Sequence, residues 1–75
     1  MTSRLPRVTA AEVVRVLEKR GFTLSRQSGS HRIYIDEDGN GVTVPFHAGK
    51  ILHPKILRSI LNDDGLTVEE FIQLL

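Results

Sequence analysis

Phe22-Thr23-Leu24-Ser25-Arg26-Gln27, Ser28-Gly29-Ser30, His31-Arg32-Ile33-Tyr34-Ile35-Asp36 and Asp38-Gly39-Asn40-Gly41-Val42-Thr43-Val44 make up the stretch that decides the fold. From Phe22 to Gln27, apolar and polar residues alternate, the mark of a half-buried strand. Ser28-Gly29-Ser30 is a turn, since glycine bends the backbone where other residues resist. A second strand runs from His31 to Asp36, centred on Ile33-Tyr34-Ile35. Asp38-Gly39-Asn40-Gly41 is a strong hairpin signal, and Val42-Thr43-Val44 is the third strand. Pro45 ends its regular pairing or sets it at a sheet edge. The product is a three-stranded antiparallel meander that needs a helical cover on one face.

Helices flank the meander. Thr9 is an N-cap and Glu12 completes a capping box, with Val8 and Val13 at the staple positions. Ala10, Val13, Val14 and Leu17 form one apolar stripe, and this first helix is expected to cover the sheet. Lys19 and Arg20 suit the negative end of its dipole, and Gly21 stops it. A connecting loop runs from Phe46 to Leu52. Pro54 opens a second helix with the stripe Ile56, Leu57, Ile60 and Leu61, and Gly65 ends it. Thr67 and Glu70 cap a short third helix, stapled by Leu66 and Phe71. Its stripe is Val68, Phe71, Ile72 and Leu75. The fold class is α+β, in the order α-β-β-β-α-α, with the helices on one side of a small sheet.

The 75 residues are expected to make a single domain, 1–75, without repeat or linker. A core this small leaves little margin over the entropy of folding. No cysteine is present, so no disulfide or thiolate metal site staples it. That fits the cytoplasm, which is the expected location. The N-terminus is polar and basic, so no secretory signal is expected. The longest apolar run, Ile33-Tyr34-Ile35, is far too short to span a membrane. Net charge is only +1, yet it is unevenly spread. Residues 1–35 carry seven basic side chains against two acidic ones, whereas residues 36–75 carry three against seven. That asymmetry permits one positive face for a polyanion, or simply two solvated patches.

His31 is the candidate catalytic residue. It follows a tight turn at the start of a strand, beside arginines. Imidazole is the side chain best suited to moving protons near neutral pH, so His31 is a candidate general acid/base for phosphate chemistry.

In this order, and in so short a chain, the segments Gly21-Phe22, Gly29-Ser30-His31, Val42-Thr43-Val44-Pro45-Phe46-His47, Ile60-Leu61, Gly65-Leu66-Thr67 and Glu69-Glu70-Phe71 resemble the HicA toxin family. The likeness runs from about Thr9 to Leu75. It implies a fold like the double-stranded RNA-binding domain. It implies an endoribonuclease that cleaves messenger RNA and halts translation, and a HicB antitoxin that binds and blocks it. His31 corresponds to the family's active histidine. The chain departs from many members after the proline of the second helix, where Pro54-Lys55-Ile56 replaces a proline followed by Gly-Thr.

RNA carries its own nucleophile, the 2′-hydroxyl, so a base that removes its proton starts cleavage without a metal. Arg26 and Arg32 flank the turn and are candidates to stabilise the charge that builds on the phosphate oxygens. The N–H groups of Gly29 and Ser30 and the Ser30 hydroxyl are further donors. His47 is either the leaving-group acid or a loop residue that meets RNA or the antitoxin. Lys50 is a candidate phosphate contact. Arg15, Lys19 and Arg20 are either phosphate contacts or ordinary solvated residues. Tyr34 and Phe46 either stack on bases or fill the core, while Phe22 and Phe71 are core. His53 belongs to the start of the second helix. Asp36-Glu37-Asp38 is a solvated hairpin tip. No metal site is expected, because no His-x₃-His pair exists. No cofactor, small molecule or membrane is expected as a partner. The alternatives to an RNase are a non-catalytic RNA-binding module and a protein-interaction domain.

Overall fold

A computed structural model of the chain describes residues 4–75; residues 1–3, part of the basic N-terminal stretch, lie outside the described residues. The elements are α1 (Ala10–Lys19), β1 (Thr23–Ser28), β2 (His31–Ile35), β3 (Gly41–Pro45), α2 (Pro54–Asp64) and α3 (Val68–Leu74). The sheet is antiparallel in the order β1-β2-β3, so the α+β fold class and the α-β-β-β-α-α order both hold. Pro45 is paired with His31 on the edge strand β3, where a missing N–H is tolerated.

Both capping boxes form. Thr9 N–H donates to Glu12 Oε1 at 2.9 Å while Glu12 N–H donates to Thr9 Oγ1 at 3.3 Å. Thr67 and Glu70 repeat the exchange at 3.0 and 3.1 Å. Each exchange satisfies two N–H groups that a helix start would otherwise leave unpaired. Gly65 ends α2 in the left-handed conformation, φ 76°. The turn between β2 and β3 is built by Asp36. Its Oδ1 accepts from the N–H groups of Asp38 and Asn40, and its Oδ2 accepts from the Asn40 side chain. The Asn40 side-chain bond, foremost among these, holds the Asp36 carboxyl below its ordinary value. Asp36 therefore organises a tip whose charges suggest only solvation.

The core lies between β2, β3 and the helices. Phe71, Leu17, Leu57, Val13, Val42 and Val44 are buried within it, with Tyr34 and Phe22 beside them. The helical cover differs from expectation in its reach. It is α2 that lies chiefly on β3, with α1 alongside, and β1 has no helix packed on it. Every residue of β1 is exposed, and Leu24 is 49% exposed. A small helical layer does not extend over the edge strand β1, and a bulge between Leu24 and Arg26 breaks the alternation there. The aromatic residue that alternation assigned to this strand, Phe22, precedes it and plugs the core. On α1, Val16 is buried and Val14 only half-buried, because α3 covers the Val16 side. On α3, Phe71 is the buried anchor; Ile72 and Leu75 stay exposed. No described helix is long and apolar enough to cross a membrane.

Candidate functional site

The site is built from the backbone at one end of the sheet. Gly29 and Ser30 are the two loop residues between Ser28 and His31, which are paired. Gly29 has φ 58° and Ser30 has no positive φ, the pattern of a type II′ turn with glycine first. The Gln27 side chain donates to the Gly29 carbonyl at 3.0 Å. On the other side of β2, His31 pairs with Pro45, and Phe46 N–H donates to the Ser30 carbonyl at 2.6 Å. The ladder thus runs one residue past β3 and ties Phe46 to the β1–β2 turn. The chain then turns back through residues 47–50, closed by Lys50 N–H to the His47 carbonyl at 3.2 Å. Gly29, Ser30, His31 and the Phe46–His47 segment therefore share one end of the sheet, with Lys50 in the loop that leaves it.

Side-chain direction follows from the register, because paired residues share a face. Tyr34 with Val42 and Arg32 with Val44 point toward the helices. His31 with Pro45, and Ile33 with Thr43 and Arg26, lie on the opposite, helix-free face. His31 is exposed there, and Arg26 shares its face. His31 and Arg32, neighbours in sequence, point to opposite sides. Arg32 is half-buried, its guanidinium carbon 3.8 Å from the centroid of the Phe46 ring. Its Nε is buried and meets no hydrogen-bond partner among the described residues. An unpaired buried donor of this kind costs on the order of 1–3 kcal/mol, offset in part by a cation–π contact of about 0.5–2 kcal/mol. Phe46 is thus a platform for arginine as well as a flank of the core, and Tyr34 is core.

The molecule has two unlike ends. The starts of α1 and α2 are joined by the Thr9–Ile51 bridge and by Leu52 N–H to the Val8 carbonyl at 2.8 Å. Their C-terminal ends are joined by Arg20, whose Nη2 lies 3.3 Å from Asp64 Oδ1 and donates to the Asp64 carbonyl at 3.1 Å. A groove lined by Arg20, Gly21, Asp36, Glu37 and Asp38 sets this junction beside the β2–β3 turn. Burial pushes the Asp64 carboxyl above its ordinary value, opposed by the Arg20 hydrogen bond and charge. Lys19 donates to the Leu74 carbonyl at 2.7 Å, closing the end of α3. Lys19 and Arg20 thus hold helix ends together. The other end carries the histidines. His53 is the N-cap of α2, its Nδ1 accepting from Lys55 N–H at 3.1 Å, which assigns the proton of the neutral ring to Nε2. Arg26 and Lys50 make no ion pair among the described residues. No group of three or more His, Asp or Glu side chains among those residues is arranged to hold a metal.

The family model for the HicA toxin of bacterial toxin–antitoxin systems matches residues 10–66. The chain belongs to the HicA toxin family. No curated relative matches it. The HicA match begins with α1 and ends at Leu66, just beyond α2, so it contains the whole sheet, His31, His47 and Lys50, while α3 lies beyond it. Membership makes the protein a toxin of a toxin–antitoxin system, with an antitoxin as its partner.

Two features of this HicA site escape a linear reading. The facing of Arg32 was signalled only by parity with Tyr34, two residues on. The capping role of His53 was hidden because imidazole is not among the usual N-cap side chains.

Proposed function

We propose that this HicA-family toxin is an endoribonuclease that cleaves messenger RNA without a metal ion, with His31 as general base or acid. The observation that carries this reading is an exposed imidazole on the helix-free face, fixed at a glycine turn and sharing that face with Arg26. In the scheme, a neutral imidazole takes the proton of a ribose 2′-hydroxyl. The 2′-oxygen attacks the adjacent phosphorus, and the bond from phosphorus to the 5′-oxygen breaks. The departing oxygen takes a proton from the imidazolium of His47 or from water. The products are a 2′,3′-cyclic phosphate and a 5′-hydroxyl end. Arg26 and the donors of Gly29 and Ser30 offset the charge on the non-bridging oxygens. Lys50 meets a neighbouring phosphate. The chain acts as one domain, 1–75, in the cytoplasm. A HicB-type antitoxin blocks it by covering the end that carries His31.

One general acid/base contributes about 10²–10⁴-fold. The purified protein is therefore expected to cleave a labelled RNA in EDTA and to leave cyclic phosphate ends. His31→Ala is expected to lose cleavage by that factor while keeping its circular dichroism spectrum. Cleavage by His31→Ala at the native rate refutes the assignment. Retarded but intact RNA with the unaltered protein turns the reading into a non-catalytic RNA-binding module.

A further inference from the structure

The register separates two groups that sequence sets side by side. His31 faces away from the helices and Arg32 faces toward them. A phosphate held against the His31 imidazole therefore lies on the face opposite to the one Arg32 points to. Yet Arg32 has the features of a prepared anion ligand. Its guanidinium is stacked on Phe46 at 3.8 Å, and Phe46 is itself tied to the turn through the Ser30 carbonyl at 2.6 Å. Stacking fixes the plane of the fork and lowers the entropy lost on binding. Its Nε is turned into the protein without an acceptor, and no carboxylate of the described residues neutralises it. A cation used only for structure normally finds a carboxylate or carbonyl, as Arg20 does with Asp64.

We infer that Arg32, stacked on Phe46, is a second phosphate subsite on the helix side of the strand ends, taking a phosphate of the RNA other than the scissile one. This rests on the RNase reading and deepens it. The strand of RNA passes over the end of the sheet, with its reacting ribose at His31 and a neighbouring phosphate bound to the terminal nitrogens of Arg32. The subsite binds substrate and performs no proton transfer. Phe46 is its positioning residue, setting the plane of the guanidinium. Planar, bidentate donation to phosphate oxygens is what a stacked arginine supplies and a lysine does not.

The test measures binding apart from cleavage. The His31→Ala protein is titrated with a fluorescently labelled, unstructured single-stranded RNA across a series of KCl concentrations. Adding Arg32→Gln is expected to weaken binding and to make the slope of log Kobs against log salt shallower by about 0.7, the loss of one phosphate contact on a single strand. Adding Arg32→Lys instead keeps the charge and so keeps most of the slope, while affinity still falls because the fork is gone. Phe46→Leu is expected to weaken affinity with the slope retained. In the active protein, the loss with Arg32→Gln is expected in KM rather than kcat, whereas a group on the scissile phosphate lowers kcat. Melting temperatures of all variants are recorded, and the Lys variant carries the test should the Gln variant fail to fold. Binding by His31→Ala with affinity and slope untouched by either Arg32 change overturns the subsite alone. Absence of RNA binding by His31→Ala and by the unaltered protein at low salt overturns the RNA reading and the subsite with it.

Discussion

Removing the Arg20 guanidinium is expected to destabilise the domain at neutral pH and to do so far less in acid. Arg20 covers the Asp64 carboxylate, whose side chain is 1% exposed, while the guanidinium is itself 37% exposed. Breaking a fully buried pair costs about 3–5 kcal/mol and an exposed one about 0–1. This half-covered pair falls between, at about 1–3 kcal/mol, including the lost bond to the Asp64 carbonyl. In a domain of this size each kcal/mol moves Tm by about 4–8 °C. The pH dependence follows from the raised Asp64 pKa. The folded state holds that proton more tightly than the unfolded chain, so Asp64 favours folding in acid, and the contribution is lost as pH rises through its folded value. Without Arg20 the carboxyl is harder still to ionise. The part of the Arg20→Ala deficit owed to the carboxylate therefore closes as pH falls below the carboxylate range, at about pH 3, and only the lost bond to the Asp64 carbonyl remains. Asp64→Asn keeps an acceptor for Arg20 and removes the buried charge, so it is expected within about 0.5–1 kcal/mol of the parent. Urea denaturation of both variants at neutral and acid pH is the assay. An Arg20→Ala deficit equal at both pH values, or an Asp64→Asn variant as damaged as Arg20→Ala, refutes the reasoning.

Two further outcomes test the fold around the site. Leu57 is 1% exposed and Leu24 49%, so Leu57→Ala is expected to cost about 2–5 kcal/mol and Leu24→Ala about 0.5 or less in chemical denaturation; equal losses would mean that a helix covers β1. Gly29 at φ 58° has nothing within 4 Å of an added Cβ, so Gly29→Ala meets only backbone strain, about 1–2 kcal/mol, and Gly29→Asn is expected to lose a similar amount on thermal melting, because the first position of a type II′ turn is not the left-handed helical conformation that Asn tolerates.

The helices were legible because their signals are local. Thr9 with Glu12, Pro54, Gly65 and Thr67 with Glu70 act within a few residues of themselves, so the linear pattern carries them. The turns were legible for the same reason. What failed was the reach of the cover. Alternation from Phe22 to Gln27 indicates which side of a strand is apolar, but not whether a helix lies over it, and β1 proved bare on both faces. The basic pair Lys19-Arg20 suited the dipole of its own helix, yet its bonds go to the ends of α3 and α2. Those partners are 44 and 55 residues away, a separation that no local rule spans. His31 was legible because a glycine turn and a strand start fix an exposed position. Its facing relative to Arg32 and Phe46 needed the register of β2 on β3.

The asymmetry of charge along the chain acquires its meaning from these bonds. Counted by sequence, the first half is basic on balance. In space, Lys19 and Arg20 are withdrawn into helix closure beside the acidic β2–β3 turn, and they are not available to a polyanion without loss of stability. Among the described residues Arg26 and Lys50 make no ion pair, and Arg32 keeps its stack, at or beside the end where His31 and His47 lie. A long anion approaching the molecule is attracted to one end and repelled from the other, so orientation precedes contact. The two ends answer to different measurements: substitutions near Asp64 are expected to move the unfolding transition and, on the proposed RNase reading, substitutions near His31 are expected to move cleavage and its salt dependence. A variant that shifts both would have to act through the elements that run from one end to the other, the β2–β3 ladder and the helices α1 and α2.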